Sequence, residues 1–328
     1  MHPFHYEQPK ELGSSVERVS RVKEATFLAG GTGLLDLMKL GVETPALLVD
    51  VRKLPLAQIE ELPDGGMRLG ALARNSDVAF HPLIRERYPM LSEALLAGAS
   101  GQIRNMATVG GNILQRTRCP YFRDVTTPCN KRQPGSGCSA LEGINRGHAV
   151  LGVSETCIAT HPSDMSVPLA ALGATVRIQG PKGERTVPFT DFHLMPGTTP
   201  QRETVLEHGD LVLSVDVPAL PAAKRSLYIK VRDRASYAFA LASVAAALEV
   251  EGGVIRQARL ALGGVATKPW RAVAAEQKLV GQAPSPQLFQ EAAKAALEGA
   301  KAREHNGFKV ELAQRIIVRA LTTLGGRS

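Results

Sequence analysis

Long apolar runs are missing. No stretch of the 328-residue chain approaches the ~20 consecutive apolar residues that a bilayer-spanning helix needs. The opening Met1-His2-Pro3-Phe4-His5-Tyr6 has no basic start followed by an apolar segment, so the expectation is a chain with no secretory signal of its own. Aromatic residues are scarce at 5%, and the cations behind the formal charge of +8 are spread along the chain. Both observations argue against nucleic acid and for a basic surface that is solvated or docks on an acidic partner. No C-x-x-C pair occurs, which makes a zinc ribbon or a thioredoxin-type redox pair a poor fit. G-x-G-x-x-G and P-loop spacings are absent too, as is any obvious set of nucleophile, base and orienter.

What is there fits an ordinary globular protein. With 44% hydrophobic and 21% charged residues over 328 positions, the chain expects two or three domains, each able to bury a core. Ser14 and Ser15 read as caps of a helix through Val16, Val19 and Val22. A short strand at Ala25–Ala29, the turn Gly30-Gly31-Thr32-Gly33, an apolar helical face at Leu34–Leu40 and a strand at Ala46–Val51 form a compact β-turn-α-β unit. Glycines between strand and helix let backbone amides converge on an anion. A second such turn stands at Thr108-Val109-Gly110-Gly111-Asn112, where Thr108 offers a hydroxyl and Asn112 both donates and accepts. Two glycine turns in one α/β region point to a pyrophosphate gripped from two sides.

The loop that leaves the second turn, about residues 113–157, gathers every cysteine: Cys119, Cys129, Cys138 and Cys157. Prolines and glycines between Cys119 and Cys138 mark it as a structured loop. Four thiolates match a four-iron, four-sulfur cluster, whose ligands tolerate irregular spacing. A structural zinc ion and inert thiols are the other readings. Arg116, Arg118, Arg123, Lys131, Arg132 and Arg146 stand against Asp124 and Glu142, an excess of positive charge that would favour an anionic cluster.

Beyond the loop, strands are expected at His148–Val153 and Cys157–Thr160. His161, before a proline, reads as a turn residue more readily than as a base, while Asp164 is the better candidate to accept from sugar-like hydroxyls. A hairpin is expected around Gly180-Pro181-Lys182-Gly183, a linker near Pro218–Pro221, then strands at Ser226–Val231 and Val254–Leu262. Helices are expected at Met90–Ala99, Ala238–Leu248, Ser285–Ala300 and Phe308–Leu321.

Taken in order, A-G-G-T (Ala29–Thr32), Q-I-R-N-x-A-T-V-G-G-N (Gln102–Asn112), P-S-D (Pro162–Asp164), G-x-x-G-E-R-T-V-P (Gly180–Pro188) and L-G-G-V-A-x-x-P-W-R-A (Leu262–Ala272) resemble the FAD-binding medium subunit of the molybdenum hydroxylases. That family includes xanthine and carbon monoxide dehydrogenases and aldehyde oxidoreductases. The four-cysteine loop, with Lys230–Ala240, is most similar to bacterial periplasmic-type aldehyde oxidoreductases; 4-hydroxybenzoyl-CoA reductases are neighbours.

The resemblance implies an α+β chain: a two-subdomain FAD-binding domain of the vanillyl-alcohol-oxidase (PCMH) type over residues 1–222, then a C-terminal α+β domain over 223–328. It implies that Leu28, Ala29, Gly30, Gly31, Thr32, Gly33 and Leu34, with Gln102, Arg104, Thr108, Gly110, Gly111 and Asn112, hold the FAD. Asp164 would bind its sugar-like chain, Lys230 and Tyr237 would lie near the isoalloxazine, and the four cysteines would ligate a 4Fe-4S cluster. Gly33 departs from the family, which commonly has Asn or Asp there. The implied role is electron transfer beside a large molybdenum-cofactor subunit and a small 2Fe-2S subunit, on to an external acceptor, with no nucleic acid and no membrane span. A stand-alone flavin oxidase or dehydrogenase of the same fold and a colourless zinc protein are the rivals. Export with a partner's twin-arginine signal to the periplasm is implied, the cytoplasm being the alternative.

Overall fold

The computed structural model describes residues 1–326. The first unit forms as its pattern demands. Strands Ala25–Leu28 and Leu47–Asp50 pair in parallel, joined by the helix Leu34–Lys39, and His5–Glu7 pairs in parallel with the far edge of Leu47–Asp50. The helix Leu12–Arg21 packs Val16 and Val19 against neighbouring apolar residues. It starts earlier than its serines suggest: Ser15 lies inside it, its Oγ donating to Glu11 O at 2.9 Å.

The second unit is a five-stranded antiparallel sheet in the order Ile59–Glu61, Met67–Gly70, Leu211–Val217, Thr175–Gly180, Gly183–Pro188. The expected hairpin is present, with Gly180 opposite Gly183. Val176, Ile178, Val215 and Val217 share a core with residues of the helices Asn75–Phe80, Pro89–Ala97 and Ser166–Leu172.

A short turn at Pro221–Lys224 leads into a four-stranded antiparallel sheet in the order Trp270–Arg271, Val254–Gly263, Ala242–Glu251, Ser226–Val231, packed with the helices Val273–Leu279, Pro286–Ala296 and Phe308–Gly325. The segment expected as the helix Ala238–Leu248 is instead the strand Ala242–Glu251. Its Val244, Ala246 and Leu248 belong to the C-terminal core, while Ala245 and Ala247 pack into the core shared with the first domain. With both faces buried the run is apolar without visible alternation, so its period of two is hidden. The strands expected at His148–Val153 and Cys157–Thr160 are not regular strands either. They are irregular chain tied by single bonds, Ala149 N to Ile158 O at 2.9 Å and Val150 N to Val265 O at 2.8 Å.

Candidate functional site

Where the parallel unit, the helices on the five-stranded sheet and the C-terminal sheet meet, a cavity of about 730 Å³ opens, within the range typical of cofactor clefts. Of the residues singled out above, Ala29, Gly30, Gly31, Thr32, Gly33, Leu34, Arg104, Thr108, Gly110, Gly111, Asn112, Asp164, Lys230 and Tyr237 line it. Leu28 packs instead with Met38 and Leu48, and Gln102 is exposed on a short helix, so both fall outside the lining.

The two glycine turns differ in what they present. Gly110 N donates to Ala71 O at 2.8 Å and Gly111 N to Thr108 Oγ1 at 3.2 Å, so this turn offers a smooth, close surface rather than open amides. Asn112 Oδ1 accepts from Ser163 Oγ at 2.6 Å and Gln115 Nε2 at 2.7 Å. Among the described residues, by contrast, the amides of Gly30 to Gly33 have no acceptor in the chain. The first turn is therefore the donor nest and the second the wall facing it. Gly30 is required by packing, because a Cβ there would lie 2.0 Å from Met106 O.

At the domain junction Lys230 Nζ donates to Asp164 Oδ2 at 2.8 Å and Tyr228 Oη to Asp164 Oδ1 at 2.6 Å. Burial, with the Asp164 carboxylate beside it, pushes the Tyr228 hydroxyl well above its ordinary range, so it stays a donor. Asp164 thus reaches the cavity with both oxygens already accepting, each retaining lone-pair capacity for a ligand hydroxyl. Tyr237 and Phe239 are exposed cavity-lining aromatics, and Tyr237 holds a positive φ of 54°, uncommon for a bulky side chain. Sequence reasoning missed Phe27, Val51, Leu72, Asp210, Arg116 and Phe239 as lining. They come from unrelated stretches and share no local motif.

The four cysteines are free and line one small second cavity. Cys129 and Cys138 oppose each other across an isolated antiparallel bridge, and Arg132 braces the loop by donating to Tyr121 O at 2.9 Å, Phe122 O at 2.8 Å and Thr127 O. Burial pushes the Cys119 thiol up to about 12 and raises that of Cys157. His148 Nε2 lies 3.1 Å from Cys119 Sγ, and burial holds its pKa down to about 4. No group of three or more His, Cys, Asp or Glu among the described residues is disposed to hold a single metal ion. Leu37, which lines the large cavity, packs with Phe122, Cys119 and Cys129, and the Arg116 guanidinium sits 4.8 Å over the Phe122 ring. Phe122, Cys119 and Cys129 in turn line the small cavity.

The expected bare positive field around the loop is absent. Arg116 is paired with Glu43 and Glu203, Arg118 and Arg123 with Asp36, Lys131 with Glu203 and Arg146 with Asp233. Their carboxylate partners lie far off in sequence, which is why counting within the loop overstated the charge. His161 packs edge-on against His193 at 4.5 Å, and burial drives its pKa well below the ordinary value. It lines a separate small cavity, not the large one.

A cofactor-sized cleft with a glycine nest at the junction of an FAD-type domain and an α+β domain defines a class of flavin-binding oxidoreductase subunit. The chain belongs to the molybdopterin dehydrogenase FAD-binding family: residues 2–220 match the FAD binding domain in molybdopterin dehydrogenase, and residues 227–324 the CO dehydrogenase flavoprotein C-terminal domain. It is 51% identical over 324 residues, 98% of each chain, to the aldehyde oxidoreductase FAD-binding subunit PaoB of Escherichia coli K12. The carbon monoxide dehydrogenase medium chain of Hydrogenophaga pseudoflava is 27% identical over 99% of this chain and 98% of its own. Among solved structures, quinoline 2-oxidoreductase from Pseudomonas putida 86 superposes with a TM-score of 0.77 at 25% identity, covering 99% of this chain and 98% of that one.

Proposed function

We infer that the chain is the FAD- and 4Fe-4S-carrying electron-transfer subunit of a molybdenum-dependent aldehyde oxidoreductase, built of domains 1–222 and 223–328. The observation that carries this is adjacency: Leu37, which lines the cofactor-sized cleft, packs against Phe122 and Cys129, which line the four-cysteine cavity. FAD accepts electrons singly or in pairs, which suits it to join one-electron clusters to a two-electron acceptor. Gly30 to Gly33 offer their amides to the pyrophosphate, Gly110 and Gly111 allow its close approach, and Asp164, oriented by Lys230 and Tyr228, meets the sugar-like chain. Tyr237 and Lys230 border the isoalloxazine.

Cys119, Cys129, Cys138 and Cys157 line a common cavity, and four thiolates are the ligand set a 4Fe-4S cluster takes. Burial raises the thiol pKa of Cys119 and Cys157, so ligation by these two displaces protons and iron retention weakens in acid. The partners in this reading are a large molybdenum-cofactor subunit and a small 2Fe-2S subunit, with export as a folded complex to the periplasm. The similarity to the E. coli aldehyde oxidoreductase subunit supports the aldehyde assignment.

The test is the absorption spectrum with flavin and iron assays on anaerobically purified protein. The expectation is about one FAD and four iron atoms per chain for a four-iron cluster, with Cys129→Ser lowering iron but not flavin. Flavin without iron would sink the cluster assignment alone; colourless protein carrying zinc would sink the whole reading.

A further inference from the structure

Resting on the cluster reading above, one side chain outside the ligand set is built to act on it. His148 is the residue whose ring meets a ligand sulfur, Nε2 to Cys119 Sγ at 3.1 Å. A thiol could donate to that nitrogen, but a cluster-bound thiolate has no proton to give. The contact then exists only with the proton on Nε2 and the imidazole donating to sulfur. The other nitrogen, Nδ1, is buried and makes no hydrogen bond.

The ring is held there from outside the loop. The C-terminal stretch 301–309 grips the chain on both sides of His148, through one side chain and three backbone carbonyls: His305 N donates to Asn145 Oδ1 at 3.0 Å, Lys309 Nζ to Gly147 O at 2.9 Å, Asn306 Nδ2 to Ala149 O at 3.1 Å and Lys301 N to Val150 O at 2.7 Å. Lys309 is fully buried and its Nζ also donates to Gly264 O at 2.7 Å, fastening this grip to the C-terminal sheet. Four consecutive attachments across a domain junction are far more than a surface loop needs, and their common result is a fixed imidazole at Cys119.

We propose that His148 is a positioning residue that donates a hydrogen bond from Nε2 to the Cys119 sulfur of the cluster and so raises the cluster's reduction potential, with the C-terminal domain holding it in place. Hydrogen bonds to ligand sulfurs stabilise the reduced, more electron-rich cluster. With five of the loop's six cations paired with carboxylates and Arg132 spent on backbone carbonyls, this donor takes over the tuning that the charge excess seemed to offer. The loop cysteines supply the ligands; the distant domain supplies the adjustment.

The experiment is an EPR-monitored redox titration of anaerobically purified holoprotein carrying wild-type, His148→Leu or His148→Gln sequence, with iron and flavin assays on each. Leu removes the donor; Gln keeps an N–H of similar reach. His148→Leu is expected to keep its iron and flavin and to lose about tenfold in the one-electron reduction equilibrium, a fall of about 59 mV. His148→Gln is expected to stay near wild type, and the flavin potential not to move. The proposal is overturned if His148→Leu keeps its iron with an unchanged potential, if Gln falls as far as Leu, or if Leu loses the cluster, which would make His148 an assembly residue. Wild-type protein with flavin but no iron would instead overturn the cluster reading on which it rests.

Discussion

Two glycines three residues apart carry opposite constraints. At Gly30 an added Cβ meets the backbone carbonyl of Met106, which cannot turn aside, whereas at Gly33 the space is open within 4 Å and the backbone is ordinary, with φ −107°. Gly30→Ala is therefore expected to cost about 1–3 kcal/mol of stability from overpacking and to lose most of the bound flavin. Gly33→Asn, which restores the residue type usual in the family, is expected to fold normally and to retain FAD at least as well. Chemical denaturation and flavin content of the purified variants check both. The resemblance marked Gly33 as a departure; only the structure shows that the chain has room to reverse it.

At the scale of elements, legibility followed locality. The β-turn-α-β unit and the hairpin at Gly180–Gly183 were readable because pattern, turn residues and pairing all lie within a few positions. The strand Ala242–Glu251 was not, since its second buried face is created by a different domain. Both glycine turns, read as a ligand grip, line the large cavity, but which of them keeps its amides free was not legible, because Gly110 spends its own on Ala71, far away in the chain. The cysteine loop is braced by one cation: Arg132 satisfies three carbonyls, two of them in the short helix Pro120–Arg123. Arg132→Met should cost about 1.5–3 kcal/mol for charge-assisted bonds and unmet carbonyls. Limited proteolysis of the variant is expected to cut first within residues 113–157 while the rest of the flavin domain stays intact.

Over the whole molecule, stability should carry the signature of Lys309. Burial brings its pKa down to about 7, against about 10.4 for an unfolded lysine. Between those values the unfolded chain holds a proton that the folded chain does not, so unfolding free energy rises with pH across that window. The contribution is lost as pH falls through about 7. Lys309→Met removes the titrating group. Denaturation curves at pH 7 and 9.5 should show wild type gaining stability on the variant over the interval; parallel behaviour would mean the amine is charged when folded. Among the described residues no helix is long and apolar enough to cross a membrane.

The bridge between Cys129 and Cys138 has a consequence for timing. Asn130 N donates to Gly137 O and Ser139 N to Pro128 O, the pattern that leaves the residues between them as a close, unbonded cross-strand pair. Such pairs have Cα atoms about 4.5 Å apart, inside the span a disulfide can close. On the cluster reading proposed above, a chain that meets an oxidant with this loop empty would join two of its four thiols as a disulfide, which must be reduced before iron can enter.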